Sequence, residues 1–294
     1  MVTTESTVTV GQVLLARIEA QAVVLAGLDD AVRADEPDAV HRMRVACRRL
    51  RSALRTFRRL FTPGATDELA AELRWLGAAL GGARDREVLA GRLAAEAREL
   101  PAACEPRRVA DALERWGEAE YRQVWPEVVA ALDDPRRRAL GEALTALLAD
   151  PPLRPRADRG ALPELSRIAA REQRRTAERV RTALAAAPED RDLALHEARK
   201  AAKRARYAGE TAAPVAGARA DRYARRMKAV QEVLGDHQDA VVAATALAAN
   251  AATGGEPFGY GVLYARQLAT REAARRRLPD VWRRAGGRKL PRFG

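Results

Sequence analysis

Residues 39–61 read AVHRMRVACRRLRSALRTFRRLF. At 100° per residue, His41, Arg44, Arg48, Arg51 and Arg55 fall within about 80° of arc, whereas Met43, Leu50, Leu54, Phe57 and Phe61 gather on a separate face. The spacing therefore predicts one helix from Pro37 to Phe61 with a core stripe and a cationic stripe, and Pro37 sits where a first-turn proline belongs. Between Ala39 and Thr66 there are eight arginines and no Asp or Glu. Arg44 with Arg48, and Arg51 with Arg55, are then unrelieved like-charge neighbours, each pair costing about 0.2–0.5 kcal/mol. A merely solvated face avoids that cost by mixing signs. A polyanion lying along the stripe would remove the repulsion and add charge-assisted hydrogen bonds.

The stretch has a second copy. HRMRVACRRLR beginning at His41 recurs as HEARKAAKRAR beginning at His196, which pairs His41 with His196, Arg44 with Arg199, Arg48 with Lys203, Arg49 with Arg204 and Arg51 with Arg206. In the second copy Leu195, Ala198, Ala202 and Ala205 form the core stripe. Further on, LGGARD ending at Asp85 matches LGDHQD ending at Asp239 at nearly the same offset, which sets Arg74 opposite Lys228 and Arg17 opposite Arg171. Two motifs keeping almost the same offset imply an internal duplication. The copies depart from each other where Glu210 stands for Arg55 and Gln238 for Arg84. Arg167, Arg171, Arg174 and Arg181 make a further basic stripe on the preceding helix, interrupted by Glu178.

Around these motifs the chain reads as all-α. Aromatic residues are only 4% of the 294, so the core must come from Leu, Val and Ala, which pack helices closely. Helices are predicted over Val8–Leu28, Pro37–Phe61, Thr66–Leu80, Asp85–Leu100, Pro163–Ala186, Pro188–Ala213, Gly217–Leu234, Asp236–Asn250 and Phe258–Leu278, with one or two more in Arg107–Asp150. DPPLRPRADRG, from Asp150 to Gly160, cannot continue a helix. The expected organisation is a first helical bundle over 1–150, a linker over 151–160 and a second bundle over 161–294, packed side by side around a basic groove or pore.

The net charge is +12, and arginine greatly outnumbers lysine. A guanidinium fork matches phosphate oxygens bidentately, so the imbalance points to a phosphate-bearing partner. Cys47 and Cys104 are the only cysteines, far apart and without ligand spacing, so neither a disulfide framework nor a zinc site is expected. Neither metal nor cofactor is expected. MVTTESTVTVGQ is unlike a signal peptide and no apolar run is long enough to span a membrane, so a cytoplasmic protein is expected. There is no phosphate-cradling glycine loop with its lysine, no HExxH, no nucleophile elbow and no dense carboxylate set for Mg²⁺, so no enzyme is expected. Asp85 and Asp239 follow Gly-containing breaks and suit helix N-caps, or a salt bridge steering an arginine such as Arg49 or Arg204. His237, beside Asp239, has no counterpart in the first copy. His41 and His196 head the two cationic stripes, where neighbouring arginines would disfavour the imidazolium and leave a neutral donor.

The string from Ala39 to Phe61, the later LHEARKAAKRARYAGE, and the LGGARD and LGDHQD turns together resemble the CHAD family, the conserved histidine α-helical domains, over nearly the whole chain. The resemblance implies two pseudo-symmetric helical bundles whose basic residues line a groove or pore that binds inorganic polyphosphate. The contacts it implies are Arg17, His41, Arg44, Arg48, Arg49, Arg51, Arg55, Arg74, Arg171, Arg174, His196, Arg199, Lys203, Arg204, Arg206 and Lys228. Family members are often fused to a triphosphate-tunnel metalloenzyme domain, but its ExExK signature is missing here, so a standalone form without triphosphatase activity, associated with polyphosphate granules, is expected. Two alternatives compete. The same electrostatics would support weak, sequence-indifferent binding of nucleic acid, and His41 or His196 would be the residue for a phosphoryl-transfer role.

Overall fold

The computed structural model describes residues 8–252, 257–287 and 290–293, leaving out the side chains of residues 83, 84, 252 and 257. The chain runs through α1 (Val10–Ala26), α2 (Asp29–Arg33), α3 (Ala39–Thr56), α4 (Asp67–Arg98), α5 (Pro106–Asp133), α6 (Pro135–Ala149), α7 (Ala161–Ala185), α8 (Pro188–Ala216), α9 (Ala218–Ala252) and α10 (Pro257–Ala285). The described residues hold no strand, only isolated bridges joining Thr9 to Gly160 and Phe61 to Leu153. The fold is all-α.

Local chemistry explains several boundaries. α1 begins at a capping box in which Thr9 Oγ1 accepts from the backbone N–H of Gln12 (3.2 Å) while the Gln12 side chain accepts from that of Thr9 (2.9 Å), satisfying two of the orphan donors of a helix start. Pro106, Pro135 and Pro188 open α5, α6 and α8 at their first position, where a missing N–H costs nothing. Asp134 caps α6 by accepting from the Arg136 N–H.

Two predicted breaks are absent. Thr66–Leu80 and Asp85–Leu100 are one helix, α4, and Gly217–Leu234 and Asp236–Asn250 are one helix, α9. A glycine inside a helix costs about 1 kcal/mol relative to Ala, and burial on both sides outweighs it: Leu73, Leu76 and Leu80 are buried before Gly81, and Leu93, Ala94 and Ala97 after it. Asp85 and Asp239 therefore lie inside helices, and the N-cap expectation for both is corrected.

The apolar stripes read from the sequence are buried. Met43, Leu50, Leu54, Phe57 and Phe61 of the first copy, and Leu195, Ala198, Ala202 and Ala205 of the second, join one core. That core draws on helices from both sides of 151–160. A smaller cluster joins the far ends of the α4–α5 and α9–α10 hairpins through Leu93, Leu113, Leu247 and Leu263. Residues 150–160 carry no α-helix, but they are bound to the body: Thr62 N–H donates to Pro152 C=O, Arg154 N–H to Leu60 C=O, Val10 N–H to Arg159 C=O and Ala161 N–H to Val8 C=O. The placement of the site follows from α3 packing against α8, which brings the two histidine-headed segments together.

Candidate anion-binding site

α3 and α8 bury one face each in the shared core and turn their cationic faces toward one another. Arg48 Nε donates to the phenolic oxygen of Tyr207 at 2.9 Å, across the two helices. The Arg206 guanidinium stacks over the same ring, 4.8 Å from its centroid. Lys203 lies one turn earlier on α8. Burial and the charges of Arg199, Arg48, Arg206 and Arg44 push its ammonium pKa down to about 7. The charges of two arginines of α3 and two of α8 thus act on one lysine, and no carboxylate pairs with Lys203 among the described residues.

Glycines floor the cluster on both sides. A Cβ built on Gly81 would lie 3.7 Å from the Arg44 guanidinium, and one on Gly235 would lie 3.6 Å from Arg199 Nε, so each helix leaves a flat surface for a planar group. Arg44 is held by both oxygens of Asp85, with Nη2 2.9 Å from Oδ2. That is the steering role expected of Asp85, with Arg44 rather than Arg49 as its arginine. Arg199 Nε is buried with no hydrogen-bond partner. A buried cationic donor left open in this way calls for an acceptor.

Beyond Tyr207, Glu210 ends the row. Arg17 of α1 donates to its Oε2 at 3.2 Å and Arg206 Nε lies 3.0 Å from its Oε1. Glu210, which stands where the first motif has Arg55, thus neutralises the end of the stripe. Burial, then the charge of Arg49, lowers the Arg17 pKa against the opposing pull of Glu210. Arg17 and Arg49 line a narrow cavity with Ser52, Thr56 and Tyr207. Further along α3, burial and the charges of Arg55 and Arg74 lower the pKa of Arg51. Arg204 turns the other way, toward Arg175 and Glu172 of α7 and toward Arg55.

Other expected positions lie apart. Arg171 donates to the Thr56 carbonyl and pairs with buried Glu172, Arg174 is exposed on α7, and Lys228 is exposed on α9 and pairs with Glu232 at 3.3 Å. His196 Nδ1 lies 2.9 Å from Gln238 Oε1. His41 lines a cleft with Asp35, Glu36, Asp38, Glu87, Glu114, Glu118 and Arg122, so carboxylates from the turn before α3 and from α4 and α5 share its cleft, where arginines were expected. Tyr207 was not anticipated. Its only signal is its place directly after the basic row, one residue beyond Arg206. Among the described residues no three metal-ligating side chains gather at one place, and no helix is long and apolar enough to cross a membrane.

Comparison with known proteins agrees with this architecture. Two curated proteins of Mycobacterium tuberculosis, Uncharacterized protein MT2285 (strain CDC 1551 / Oshkosh) and Uncharacterized protein Rv2226 (strain ATCC 25618 / H37Rv), are each 36% identical over 264 residues, covering 87% of this chain. The chain spans about half the length of these relatives, 50% in each case. Among solved structures, PptA from Streptomyces chartreusis superposes with a TM-score of 0.76 at 24% identity, over 94% of this chain and 100% of that one. The CHAD domain from the plant Ricinus communis does so with a TM-score of 0.69 at 25% identity, over 95% of this chain and 93% of that one. The family model described as CHAD domain matches residues 16–248. Together with helices that set two histidine-headed basic motifs face to face, this match establishes that the chain belongs to the CHAD domain family.

Proposed function

We propose that the protein binds inorganic polyphosphate at the junction of α3 and α8, with Arg44, Arg48, Arg199, Lys203 and Arg206 as the central contacts and Arg17, Arg49, Arg51, Arg55, Arg74 and Arg204 flanking them. One observation carries the reading: the charges of four guanidiniums from two helices act on Lys203, and among the described residues Asp85 is the one acid that engages any of Arg44, Arg48 and Arg199. Such a cluster opposes folding through self-repulsion, and a polyanion relieves it. The CHAD family's association with polyphosphate supports the same ligand. The equivalent stances of Arg44 over Gly81 and Arg199 over Gly235 support a duplicated pair of bundles sharing one groove.

The role proposed is binding without turnover. Four of the five central contacts are guanidiniums, fixed donors and charges with no capacity to act as a general base near neutral pH. The protein is proposed to act in the cytoplasm at polyphosphate deposits, where retention of the anion is itself the function.

Calorimetric titration with long-chain polyphosphate and, at matched phosphate concentration, nonspecific duplex DNA tests this reading at about 0.15 M salt and above, where exposed charges are screened. Polyphosphate binding that outlasts DNA binding as salt rises is the expected result. Equal affinities that fade together would assign the cluster to a generic basic surface and favour nucleic acid as the partner.

A further inference from the structure

A second set of guanidiniums lies where the sequence suggested only a linker. Arg59, in the 3₁₀ turn Arg58–Leu60 that follows α3, and Arg154, Arg156 and Arg159, from the segment between α6 and α7, line one open cleft with Pro155 and no carboxylate. This segment is a fixed platform. Its backbone bonds to Leu60, Thr62, Val8 and Val10 hold it at both ends, and Ala157 is buried beneath it. The Phe61–Leu153 bridge and the bond from Arg154 N–H to Leu60 C=O place Arg154 beside Arg59.

Two of the four cations are oriented from below. Glu164 of α7, fully buried, takes Arg156 at 2.9 Å and Arg159 at 3.3 Å, and Arg167 at 2.5 Å. Burial alone would neutralise a carboxyl, yet these guanidiniums hold the Glu164 pKa below its ordinary value, so it stays a charged anchor. Each anchored fork keeps a second edge free for phosphate oxygens. Arg59 and Arg154 are exposed and have no ion-pair partner among the described residues.

The platform lies past the C-terminal end of α3. Arg44, Arg48, Arg51 and Arg55 advance along one face over roughly 16 Å of helix, and Arg59 follows in the 3₁₀ turn after α3 ends at Thr56. We propose that Arg59, Arg154, Arg156 and Arg159 form a second phosphate-binding site, which grips a distal stretch of a polyanion already seated at the α3–α8 cluster and makes the protein favour long chains over short ones. This inference rests on the polyphosphate reading of the central cluster. A chain too short to reach both sites gains nothing from the second. A long one gains an intramolecular contact whose effective concentration is set by the span between them.

The test is calorimetry with tripolyphosphate and with long-chain polyphosphate on three proteins: the wild type, Arg59→Ala/Arg154→Ala, and Arg199→Ala/Lys203→Ala. The platform variant, with an unchanged melting temperature, should lose about tenfold in affinity for the long chain and nothing for tripolyphosphate. Arg59→Lys/Arg154→Lys, which keeps the charge without the fork, should recover only part of that loss. The central variant should lose affinity for both ligands. Long-chain affinity within twofold of wild type in the platform variant would overturn the second site and leave the central reading standing. So would an equal loss for both chain lengths, or an equal loss with duplex DNA, since each marks a general field effect. A wild type that binds neither anion would overturn the central reading and the second site together.

Discussion

Arg48 of α3 donates through Nε to the Tyr207 hydroxyl of α8 at 2.9 Å, which couples the two basic motifs through one phenol. Tyr207→Phe keeps the ring and its stack beneath Arg206 and removes only the acceptor. A hydrogen bond from a charged donor contributes about 1.5–3 kcal/mol, and Arg48 retains access to solvent, so the cost should fall below that range. The expected result is a three- to tenfold loss of polyphosphate affinity with little change in melting temperature. Unchanged affinity would show that Arg48 needs no positioning by Tyr207.

Lys203 makes binding depend on pH. Its pKa in the free protein is about 7, below the ordinary lysine value of about 10.4, and a bound polyanion neutralising Arg44, Arg48, Arg199 and Arg206 would raise it. Above pH 7 binding must then take up a proton, so affinity should fall as pH rises from 7 toward 9. Titrations in buffers of different ionisation enthalpy should show proton uptake in the wild type, reduced in Lys203→Arg, whose charge is fixed. Equal uptake by both proteins would contradict this assignment.

The same group affects stability in the opposite sense. A lysine whose pKa is depressed by folding binds fewer protons in the native state than in the unfolded one between pH 7 and about 10, so its contribution to stability rises with pH across that window. Lys203→Met should raise the melting temperature at pH 7 while lowering polyphosphate affinity, a trade of stability for function. A lower melting temperature at pH 7 would show that the ammonium stabilises the fold.

Asp85 competes with ligand for Arg44. Its carboxylate engages the guanidinium through both oxygens and is itself well exposed, at 66%, so Asp85→Asn should free Arg44 at little cost to the fold. Affinity for polyphosphate should rise severalfold and its salt dependence steepen. A drop in affinity would mean that Asp85 serves chiefly to hold Arg44 in place.

Glu164 is predicted to carry acid sensitivity. Its depressed pKa contributes stability that is present above the unfolded carboxyl value of about 4.3 and lost as pH falls through the native value. Glu164→Gln should destabilise the protein by about 1.5–3 kcal/mol, the worth of hydrogen bonds to a charged group. Denaturant unfolding at pH 7 and pH 4 should show the difference between variant and wild type shrinking at the lower pH. A difference independent of pH would place the loss in packing.

What the sequence showed of the site follows from what is local in it. The two faces of α3 and α8 were legible because a 3.6-residue period sorts Leu50 and Leu54 from Arg48 and Arg51 without reference to the rest of the chain. The continuity of α4 through Gly81 and Gly82 was not, because it depends on burial of Leu93 and Ala97 beyond the glycines, and local propensity yields to such packing. The pairing of Arg44 with Asp85, 41 residues away, and the carboxylates of α4 and α5 that share the His41 cleft are products of docking that no spacing encodes. The linker was rightly denied an α-helix, but its arginines became informative only once the backbone bonds to Leu60 and Val10 showed it fixed.

The central claim is that cations of α3 and α8 act on one ligand. Calorimetric titration of long-chain polyphosphate into the wild type, Arg44→Ala/Arg48→Ala and Arg199→Ala/Lys203→Ala tests it most directly, with the combined fourfold variant closing the cycle. Residues that share a ligand couple, and independent ones add. Either pair alone should remove most of the affinity, and the fourfold variant should lose far less than the sum of the two losses. Two small losses that simply add would contradict it and reduce the cluster to two unrelated basic faces.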